Sequence, residues 1–402
     1  MSRSRKEMRK GYLRNRLFSM AVIRTLGPIV FKKLNVEMDY YEPKNKTFLL
    51  IANHTDALDP GFLMLEFNKY IRFVASDHVT RGGLLGFVIK YLGGVIVKRR
   101  SNPPEVLWND ILDTLKADIP VGLFAEGSTS LNGETGFISE NTGKLVKDSG
   151  KALITHRFIG GYLRSPRWAN TNKVGPVFGQ VVNEYSAEEL AKMTVEEVNE
   201  IIRKDTYVNA FEEQRKNTKT YTGENMAEYL ERILYVCPKC KTIGELHSKG
   251  DYLKCDACGY NVEYGTDAFF HSEDSEVVFD NVLDWDKWQR KIWKEKVLSA
   301  KDDELIFEDT DQVIRTIKED AKIPVADHAK LQLYKDKFVV VKDDGEKVEM
   351  PVLTMNRVWI AAKDSLILVN DEHYFDVSCH DVKRAAIKYV AAWMYLRGKD
   401  FV

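Results

Sequence analysis

The sequence predicts an α/β protein that carries a smaller β-rich domain at its C-terminal end. Between residues 36 and 185, short apolar runs alternate with helical stretches, and runs this apolar are typical of a parallel sheet that is buried on both faces. From about residue 276 the pattern changes to alternating segments followed by one amphipathic helix. A chain of 402 residues is long enough for about two to four domains.

Within the α/β region, six apolar runs are predicted strands and three intervening stretches are predicted helices. The strands are Thr47–Ala52, Arg72–Ser76, Gly94–Lys98, Val121–Ala125, Lys151–Thr155 and Val177–Val182. The helices are Asp59–Asn68, Leu84–Tyr91 and Pro103–Lys116. Residues 186–235 are predicted to be helical as well, with capping boxes at Ser186–Glu189 and Thr194–Glu197.

The N-terminal segment carries a strong positive charge. The whole chain has a net charge of −1, which excludes a uniformly basic nucleic-acid coat protein. Residues 1–33 nevertheless hold ten basic residues and one acidic residue, a net charge of +9 that leaves −10 on the rest. Apolar residues at spacings of three and four predict one or two helices over 5–34, broken near Gly27-Pro28. Such helices either lie on an anionic membrane surface or pack on the next domain.

No apolar run in the sequence reaches the roughly 18–20 residues that a membrane-spanning helix needs. Arg24 and Gly27-Pro28 interrupt the longest candidate, Leu17–Phe31, which also lacks a small-residue cleavage site, so a secretory signal is not expected. We therefore expect a cytoplasmic protein that binds peripherally to the inner face of a membrane through residues 1–35.

The most informative stretch is Asn53-His54-Thr55-Asp56-Ala57-Leu58-Asp59-Pro60, which follows a predicted strand directly. It lies where a strand ends and a helix begins, and open α/β sheets place their ligands at such positions. Asp59 can bond to the His54 imidazole, fix its tautomer and leave the other ring nitrogen free to take a proton from a hydroxyl. The alternative interpretation is an ordinary helix-capping pair.

Two more predicted strands end in polar residues that suit substrate binding. The stretch Gly93-Gly94-Val95-Ile96-Val97-Lys98-Arg99 ends in two cations. The stretch Leu123-Phe124-Ala125-Glu126-Gly127-Ser128-Thr129-Ser130 ends in a carboxylate, a glycine and hydroxyls.

These three stretches together resemble the motifs of the glycerolipid acyltransferases, typified by 1-acylglycerol-3-phosphate acyltransferase, over roughly residues 15–185. The family's first motif, N-H-x4-D, is matched without a gap by Asn53, His54 and Asp59. Its second, G-x-x-F-I-x-R, is matched by Gly93, Ile96, Val97 and Arg99. Its third, F-P-E-G-T-R-S, is matched by Phe124, Glu126, Gly127 and Ser130. The resemblance implies the α/β fold of that family.

The resemblance also implies direct transfer of a fatty acyl group from a thioester, carried by coenzyme A or acyl carrier protein, to the hydroxyl of a lysophospholipid. His54 would act as the general base, Asp59 would orient it, and backbone N–H groups near Glu126-Gly127 would stabilise the oxyanion. Substrate-binding roles are expected for Asn53, Lys98, Arg99, Glu126, Gly127, Ser128, Arg164 and Arg167.

Departures from the family pattern leave the acceptor open. Thr129 stands where the third motif has arginine, Ala125 stands where it has proline, and the segment 154–168 replaces the strand of the fourth motif. Arg164 and Arg167 in that segment either supply the missing charge for a phosphate or are ordinary surface cations. The acceptor is 1-acylglycerol-3-phosphate, another lysophospholipid or a glycolipid. A catalytically inactive lipid-binding adaptor is the alternative from a different class.

Four of the five cysteines form two C-x-x-C pairs separated by fourteen residues. They are Cys237, Cys240, Cys255 and Cys258. Four thiolates suit tetrahedral zinc and leave no open position for water, so the spacing predicts a structural zinc ribbon. Some ribbons bind nucleic acid, but Asp251, Asp256 and Glu263 dilute the nearby lysines, and no nucleic-acid partner is expected. Cys379 is predicted to be an inert core thiol.

Residues 300–402 resemble a pleckstrin-homology-like or GRAM-like module, which binds lipids or proteins or merely packs on the catalytic domain. Its predicted strands are Glu304–Phe307, Lys330–Leu333, Lys337–Val341, Val348–Val352, Arg357–Ala361 and Ser365–Val369. Asp381–Arg397 is the predicted closing helix, with Gly398 as its stop. The sequence thus predicts four parts: membrane-contacting helices (1–35), an acyltransferase domain (36–235), a zinc ribbon (236–270) and a β-rich domain with a C-terminal helix (271–402).

Overall fold

The computed structural model of the chain describes residues 5–76, 86, 89, 93–99, 102–274, 276–318, 321–361, 363, 365–380 and 385–401. The chain divides into two compact units. Unit 1 comprises residues 1–166 and 173–221, and unit 2 comprises residues 167–172 and 222–402. The predicted division into four parts stays a prediction.

In the part of the chain that the structure describes, unit 1 is built around a sheet of seven strands. They are β1 (Val36–Met38), β2 (Phe48–Ala52), β3 (Arg72–Ser76), β4 (Ile96–Lys98), β5 (Val121–Phe124), β6 (Ala152–Ile159) and β7 (Val177–Tyr185). Their order is β1-β7-β6-β2-β5-β3-β4. The pairs β2–β5, β5–β3 and β3–β4 are parallel, so the carboxyl ends of these four strands lie along one edge.

The described part of unit 1 also contains the following helices, several of which pack on the two faces of the sheet. They are α1 (Arg5–Leu34), α2 (Asp59–Glu66), α3 (Pro104–Lys116), α4 (Asn141–Ser149), α5 (Gly161–Arg164), α6 (Ala187–Lys192), α7 (Val195–Thr206) and α8 (Ala210–Lys216). Alternate residues of β2 belong to opposite faces: Leu50 packs in a core cluster with Phe62 of α2, whereas Ile51 packs in another with Ile111 of α3. All five residues of β2 are buried, as expected for a central strand of a covered sheet.

The predicted α/β layer structure is confirmed, and both predicted capping boxes are present. Two predictions in this unit are wrong. Residues 186–235 are not helical throughout, because beyond α8 the described helical structure is a single turn at Leu230–Arg232. The N-terminal helix is also not broken near Gly27-Pro28. The predicted helix Leu84–Tyr91 lies outside the described residues, apart from residues 86 and 89.

Helix α1 continues through Pro28 although a proline removes one helical hydrogen bond. Packing on α2 accompanies this continuity, because Gly27 lies so close to the end of the Leu65 side chain that a Cβ on Gly27 would displace it. One turn further on, the ring of Phe31 meets the ring of Phe62 edge to face at 5.1 Å. Among the described residues, none of the helices combines the length and apolarity needed to cross a bilayer.

Unit 2 begins with a small antiparallel sheet that carries the cysteine pairs. Its strands are β8 (Leu246–Lys249), β9 (Tyr252–Cys255), β10 (Asn261–Tyr264) and β11 (Phe270–His271), in the order β11-β10-β9-β8. Helix α9 (Val282–Ser299) follows. Its Trp285 and Trp293 are fully buried, and the Trp285 indole donates to the carbonyl of Val236 at 2.9 Å, which ties the helix to the start of the cysteine segment.

The C-terminal part of unit 2 is a larger antiparallel sheet followed by α10 (Ile387–Leu396). The strands are β12 (Phe307–Lys318), β13 (Ala321–Leu333), β14 (Lys337–Val341), β15 (Lys347–Pro351), β16 (Arg357–Ala361), β17 (Ser365–Val369) and β18 (Tyr374–Cys379). The predicted β-rich domain with a closing helix is confirmed, and Tyr389 of α10 is buried against Phe338 of the sheet. The predicted strand Lys330–Leu333 is the last part of β13, whereas the predicted strand Glu304–Phe307 is wrong, because β12 begins only at Phe307. The rest of β12 and β13 and the whole of β18 were not predicted, because polar residues interrupt their alternation.

Candidate functional site

The His54 imidazole and the Asp59 carboxylate form a hydrogen-bonded pair at the carboxyl end of β2. The distance from His54 Nδ1 to Asp59 Oδ2 is 3.0 Å. Since an ionised carboxylate only accepts hydrogen bonds, this contact places the proton of the neutral ring on Nδ1 and the lone pair on Nε2. Nε2 has no hydrogen-bond partner among the described residues, and the side chain of His54 is 20% exposed. The ring can therefore accept a proton from an incoming group.

Asp59 is held rigidly because it is fully buried and accepts several hydrogen bonds. The backbone N–H groups of Thr55 and Asp56 donate to its Oδ2 at 2.7 and 2.9 Å, and the Thr55 hydroxyl donates to Oδ1 at 3.2 Å. Asp59 is also the first residue of α2, where the helix dipole favours a negative charge. These contacts fix the position of the carboxylate that orients the imidazole.

An aromatic floor lies under the imidazole. The His54 ring stacks on Phe124 of β5 with 4.1 Å between the ring centroids, and Phe124 stacks on Phe73 of β3 at 5.7 Å. The stack follows the strand order β2-β5-β3 from the histidine toward β4. It fixes the plane of the imidazole and forms an apolar surface beside the reactive nitrogen.

The segment from Phe158 to Arg164 supports the His54 turn from behind. The Asn53 amide donates to the carbonyl of Phe158 at 2.9 Å and accepts from its N–H at 2.7 Å. Any side chain on Gly161 would collide with Thr55. Arg164 Nη2 donates to Asp56 Oδ2 at 2.6 Å in a buried ion pair.

These contacts correct two predictions of substrate binding. The side-chain groups of Asn53 bond to the backbone of Phe158, and Asn53 is only 3% exposed. Arg164 is 1% exposed and paired with Asp56, so it neither supplies a free charge for a phosphate nor lies on the surface. In the structure both residues position the turn that carries the histidine, and the segment 154–168 that departs from the family pattern provides this support.

Glu126 bonds to two separate backbone segments. Its Oε1 accepts the N–H of His54 at 2.8 Å, and its Oε2 accepts the N–H of Gly136 at 2.6 Å. Burial raises the pKa of Glu126 to about 7, although these two N–H groups pull the pKa down. The carboxylate therefore holds the His54 backbone, and the expected contact of Glu126 with the acceptor stays a prediction.

The residues after Glu126 take different places. The N–H of Gly127 donates to the carbonyl of Phe124 at 3.0 Å, so it does not serve as the expected oxyanion donor. Ser128 is exposed, and its hydroxyl bonds to the neighbouring carbonyl of Thr129. The N–H of Ser130 donates to the carbonyl of His54 at 2.9 Å, which adds another contact to the turn.

The remaining predicted cations are Lys98, Arg99 and Arg167. Lys98 and Arg99 are exposed at the carboxyl end of β4, on the same edge as His54. Three strand spacings separate β4 from β2, which is about 14 Å. Arg167 belongs to unit 2 and its role as a phosphate ligand stays a prediction.

Comparison with known proteins identifies the region that carries this site. Residues 33–159 match the family model described as Acyltransferase. This region is an acyltransferase domain. The match contains the three motifs from Asn53 to Ser130, so the resemblance predicted from them is confirmed at the level of the family.

One solved structure that is similar to the chain is the crystal structure of the 1-acyl-sn-glycerophosphate (LPA) acyltransferase PlsC from Thermotoga maritima. The two sequences are 20% identical, the match covers 54% of this chain and 85% of that chain, and the TM-score is 0.39. No curated protein matches the sequence.

Outside the acyltransferase domain, the two cysteine pairs converge on one point. The sulfurs of Cys237 and Cys258 are 3.7 Å apart, as are those of Cys240 and Cys255, and all four lie within 4.8 Å of one another. Tetrahedral zinc with bonds of about 2.3 Å to sulfur requires sulfurs roughly 3.8 Å apart. The four thiols therefore fit the predicted metal, and they are consistent with metal binding.

Sequence reasoning missed the roles of several residues in the acyltransferase domain. Phe124 was matched as part of a motif but not as the floor under His54. Asp56 lies inside the first motif, yet nothing in the sequence indicated Arg164 as its partner, 108 residues away. The glycine pair at 160–161 was the sequence feature that could have indicated this close packing. Gly160 has a positive φ of 83°, and Gly161 has no room for a side chain.

Proposed function

We propose that the acyltransferase domain transfers a fatty acyl group from a thioester of coenzyme A or acyl carrier protein to the hydroxyl of 1-acylglycerol-3-phosphate. The observation that carries this proposal is the His54–Asp59 pair, in which Nδ1 bonds to a buried carboxylate while Nε2 has no hydrogen-bond partner in the described part of the chain. The Acyltransferase family match of residues 33–159 supports the reaction type.

In this mechanism Nε2 of His54 takes the proton of the acceptor hydroxyl as its oxygen attacks the thioester carbonyl carbon. A C–O bond forms, the C–S bond breaks, and the proton passes from the imidazolium to the departing sulfur, so a thiol and an ester are released. Asp59 stabilises the imidazolium that forms between these steps. A general base of this kind contributes about 10²–10⁴-fold to a rate, and holding both substrates in place contributes several kcal/mol more.

The acceptor phosphate is proposed to bind at the exposed end of β4. Arg99, with Lys98 beside it, places positive charge at the same sheet edge as His54, about three strand spacings away. A guanidinium binds a phosphate through two parallel hydrogen bonds, so Arg99 is the stronger candidate of the two. The glycerol part of the acceptor would then lie over the aromatic floor of Phe124 and Phe73.

A panel of acceptors tests the proposal. The full chain is incubated with an acyl-coenzyme A or an acyl carrier protein thioester and with 1-acylglycerol-3-phosphate, other lysophospholipids and a glycolipid. Turnover of the first acceptor is the expected result. If only a different acceptor is turned over, the proposed reaction stands and the proposed acceptor is wrong. Thr129, which stands where the family has arginine, is compatible with a different acceptor. Binding without any turnover would support the inactive adaptor instead.

Substituting Arg99 tests the phosphate site. We expect Arg99→Ala to raise KM for a phosphate-bearing acceptor about tenfold or more, because a charge-assisted bidentate contact is lost. The matched control is Lys116→Ala, which removes an exposed cation elsewhere in unit 1. An unchanged KM in Arg99→Ala would exclude this residue from the phosphate site.

We further propose that α1 contacts a membrane surface. The helix packs on α2 through Gly27 and Phe31, so the packing predicted as the alternative does occur. On another face it exposes a stripe of large apolar side chains at helical spacing. They are Phe18, Val22, Leu26, Ile29 and Val30. Basic residues near both ends of α1 add attraction to anionic lipid of about 1 kcal/mol each. This placement suits an enzyme whose acceptor lies in a bilayer.

Vesicle binding tests the contact of α1 with lipid. The double variant Leu26→Asp and Ile29→Asp is expected to lose sedimentation with anionic vesicles, because it places two carboxylates in the apolar stripe. Leu353→Asp is the matched control, since Leu353 is a leucine of unit 2 that is 80% exposed. Undiminished binding of the double variant to anionic vesicles would contradict the proposal.

Zinc is the proposed occupant of the four-cysteine cluster, with Cys237, Cys240, Cys255 and Cys258 as its ligands. A zinc ion held by four thiolates supplies structural stability to the fold around it. We propose no role for this zinc in acyl transfer and no nucleic-acid partner for the ribbon. We propose that the protein lies on the cytoplasmic face of a membrane.

A further inference from the structure

Three potential metal ligands meet at the surface of the C-terminal sheet of unit 2. Asp311 belongs to β12, His328 to the neighbouring β13, and His380 follows β18 on the other side of β12. One ligand atom from each lies within 4.8 Å of the other two. All three residues are exposed, so water and ions reach them freely.

An irregularity in β12 places Asp311 between the two histidines. The pairing of β12 with β13 shifts register between Asp309 and Gln312, and Asp311 has a positive φ of 57°. A β-bulge of this kind re-aims a side chain, and the left-handed conformation costs energy for a residue other than glycine. The Oδ1 of Asp311 reaches Nδ1 of His328 at 2.6 Å as a result.

The histidines are held close to each other as well. The rings of His328 and His380 stack with 4.9 Å between their centroids. The carboxylate of Asp343 accepts the backbone N–H groups of Asp327 and His328 at 2.9 and 2.8 Å, which fixes the part of β13 that carries His328. Asp327 Oδ1 lies 3.4 Å from Nε2 of His380 and adds negative charge beside the cluster.

We propose that Asp311, His328 and His380 bind a divalent transition-metal cation of the zinc class at the surface of unit 2. Two imidazoles and one carboxylate are a ligand set that zinc accepts, with bonds of about 2.0–2.2 Å that put ligand atoms roughly 3.3 Å apart in a tetrahedron. Exposed side chains reach that spacing by rotating about their own bonds. Three protein ligands leave a fourth position for water, which distinguishes this site from the four-cysteine cluster.

Metal counting on the full chain without an affinity tag tests the proposal. The chain is first saturated with zinc, then dialysed, and zinc is counted by mass spectrometry; a parallel titration uses cobalt(II). We expect two equivalents per chain in the presence of micromolar free zinc, one in the cysteine cluster and one at the new site. Cobalt at the new site is expected to give weak visible bands without the thiolate charge-transfer absorption that cobalt in the cysteine cluster gives.

Variants assign the second equivalent. The double variant His328→Ala and His380→Ala is expected to retain one equivalent, and Asp311→Asn is expected to raise the Kd of the second at least tenfold. The matched control is His271→Ala, which removes another exposed histidine of unit 2 that is paired with an aspartate, Asp267. Its expected stoichiometry is two. A single equivalent in the unaltered chain, or a second equivalent that survives in the double variant, would overturn the proposal.

Discussion

The four-cysteine cluster and the His54 turn both come from short sequence motifs, yet different interactions hold them in shape. Each cysteine pair lies in a knuckle closed by its own backbone, with Lys241 N–H bonded to the carbonyl of Cys237 and Gly259 N–H to that of Cys255. The His54 turn depends instead on residues far along the chain, such as Phe158 and Arg164. The spacing of the cysteines is therefore enough to predict that they converge. The motif around His54 predicts only part of its site, because the supporting residues lie far along the chain.

From this comparison we expect a substitution in the His54 turn to lower activity more than any other substitution proposed here. Asp59→Asn is expected to lower kcat roughly 10²–10⁴-fold, because a neutral amide in place of the carboxylate does not stabilise the imidazolium that forms when Nε2 takes the proton. Acyl transfer under saturating substrates is the measurement. The matched control is Asp148→Asn, an exposed helical aspartate of unit 1 that should keep full activity. A fully active Asp59→Asn enzyme would remove the carboxylate from the mechanism.

A substitution in the cysteine cluster is expected to lower thermal stability. Cys255→Ser removes one of the four thiolates, and we expect it to release metal and to lower the Tm of unit 2 by roughly 10 °C, since binding energy of the metal is folding energy. Calorimetry together with metal analysis measures both effects. Cys379→Ser is the control, because Cys379 lies outside the cluster. If Cys255→Ser kept its metal and its Tm, the cluster would not be a structural metal site.

The long-range support of the His54 turn can be broken at Arg164. Arg164→Met leaves the Asp56 carboxylate buried without its cation, and we expect the free energy of unfolding of unit 1 to fall by about 3–5 kcal/mol. Arg203→Met, which removes an exposed arginine paired with Glu140, should cost little. Chemical denaturation measures the difference. Equal stability of the two variants would mean that Arg164 does not support the turn.

Glu126 offers a smaller effect that depends on pH. Burial raises its pKa in the folded chain to about 7 from the ordinary value of 4.5. A raised carboxyl pKa means that the contribution of Glu126 to stability is greatest below pH 4.5 and declines as the pH rises through 7. The stability difference is the free energy of unfolding of the unaltered chain minus that of Glu126→Gln. This difference should fall by about 3 kcal/mol or less between pH 4.5 and pH 7.

Denaturation at several pH values measures this difference, with Glu140→Gln as an exposed control. A difference that rises with pH would show that the two backbone N–H bonds outweigh burial at Glu126. That result would place the carboxylate among the groups that stabilise the turn in its ionised form.

How much the sequence could predict follows from the range of the interactions involved. The strand Arg72–Ser76 and the cysteine cluster follow from local patterns, and both are present as predicted. The pairing of His54 with Asp59 was also predictable, since five residues separate them. The burial of Arg164 was not, because a sequence pattern does not show which distant carboxylate an arginine will meet. The unbroken helix α1 was missed for the same reason, as its partner at Gly27 is Leu65 of another helix.

The most direct test of the central claim is acyl transfer by His54→Ala. The account predicts that this variant loses acyl transfer by about 10²–10⁴-fold or more. Its thermal unfolding is expected to match that of the unaltered chain, because the backbone hydrogen bonds that hold the turn do not involve the imidazole. His271→Ala, measured alongside, should retain full turnover. A folded His54→Ala chain that transfers acyl groups at the unaltered rate would contradict the claim that this histidine is the proton acceptor.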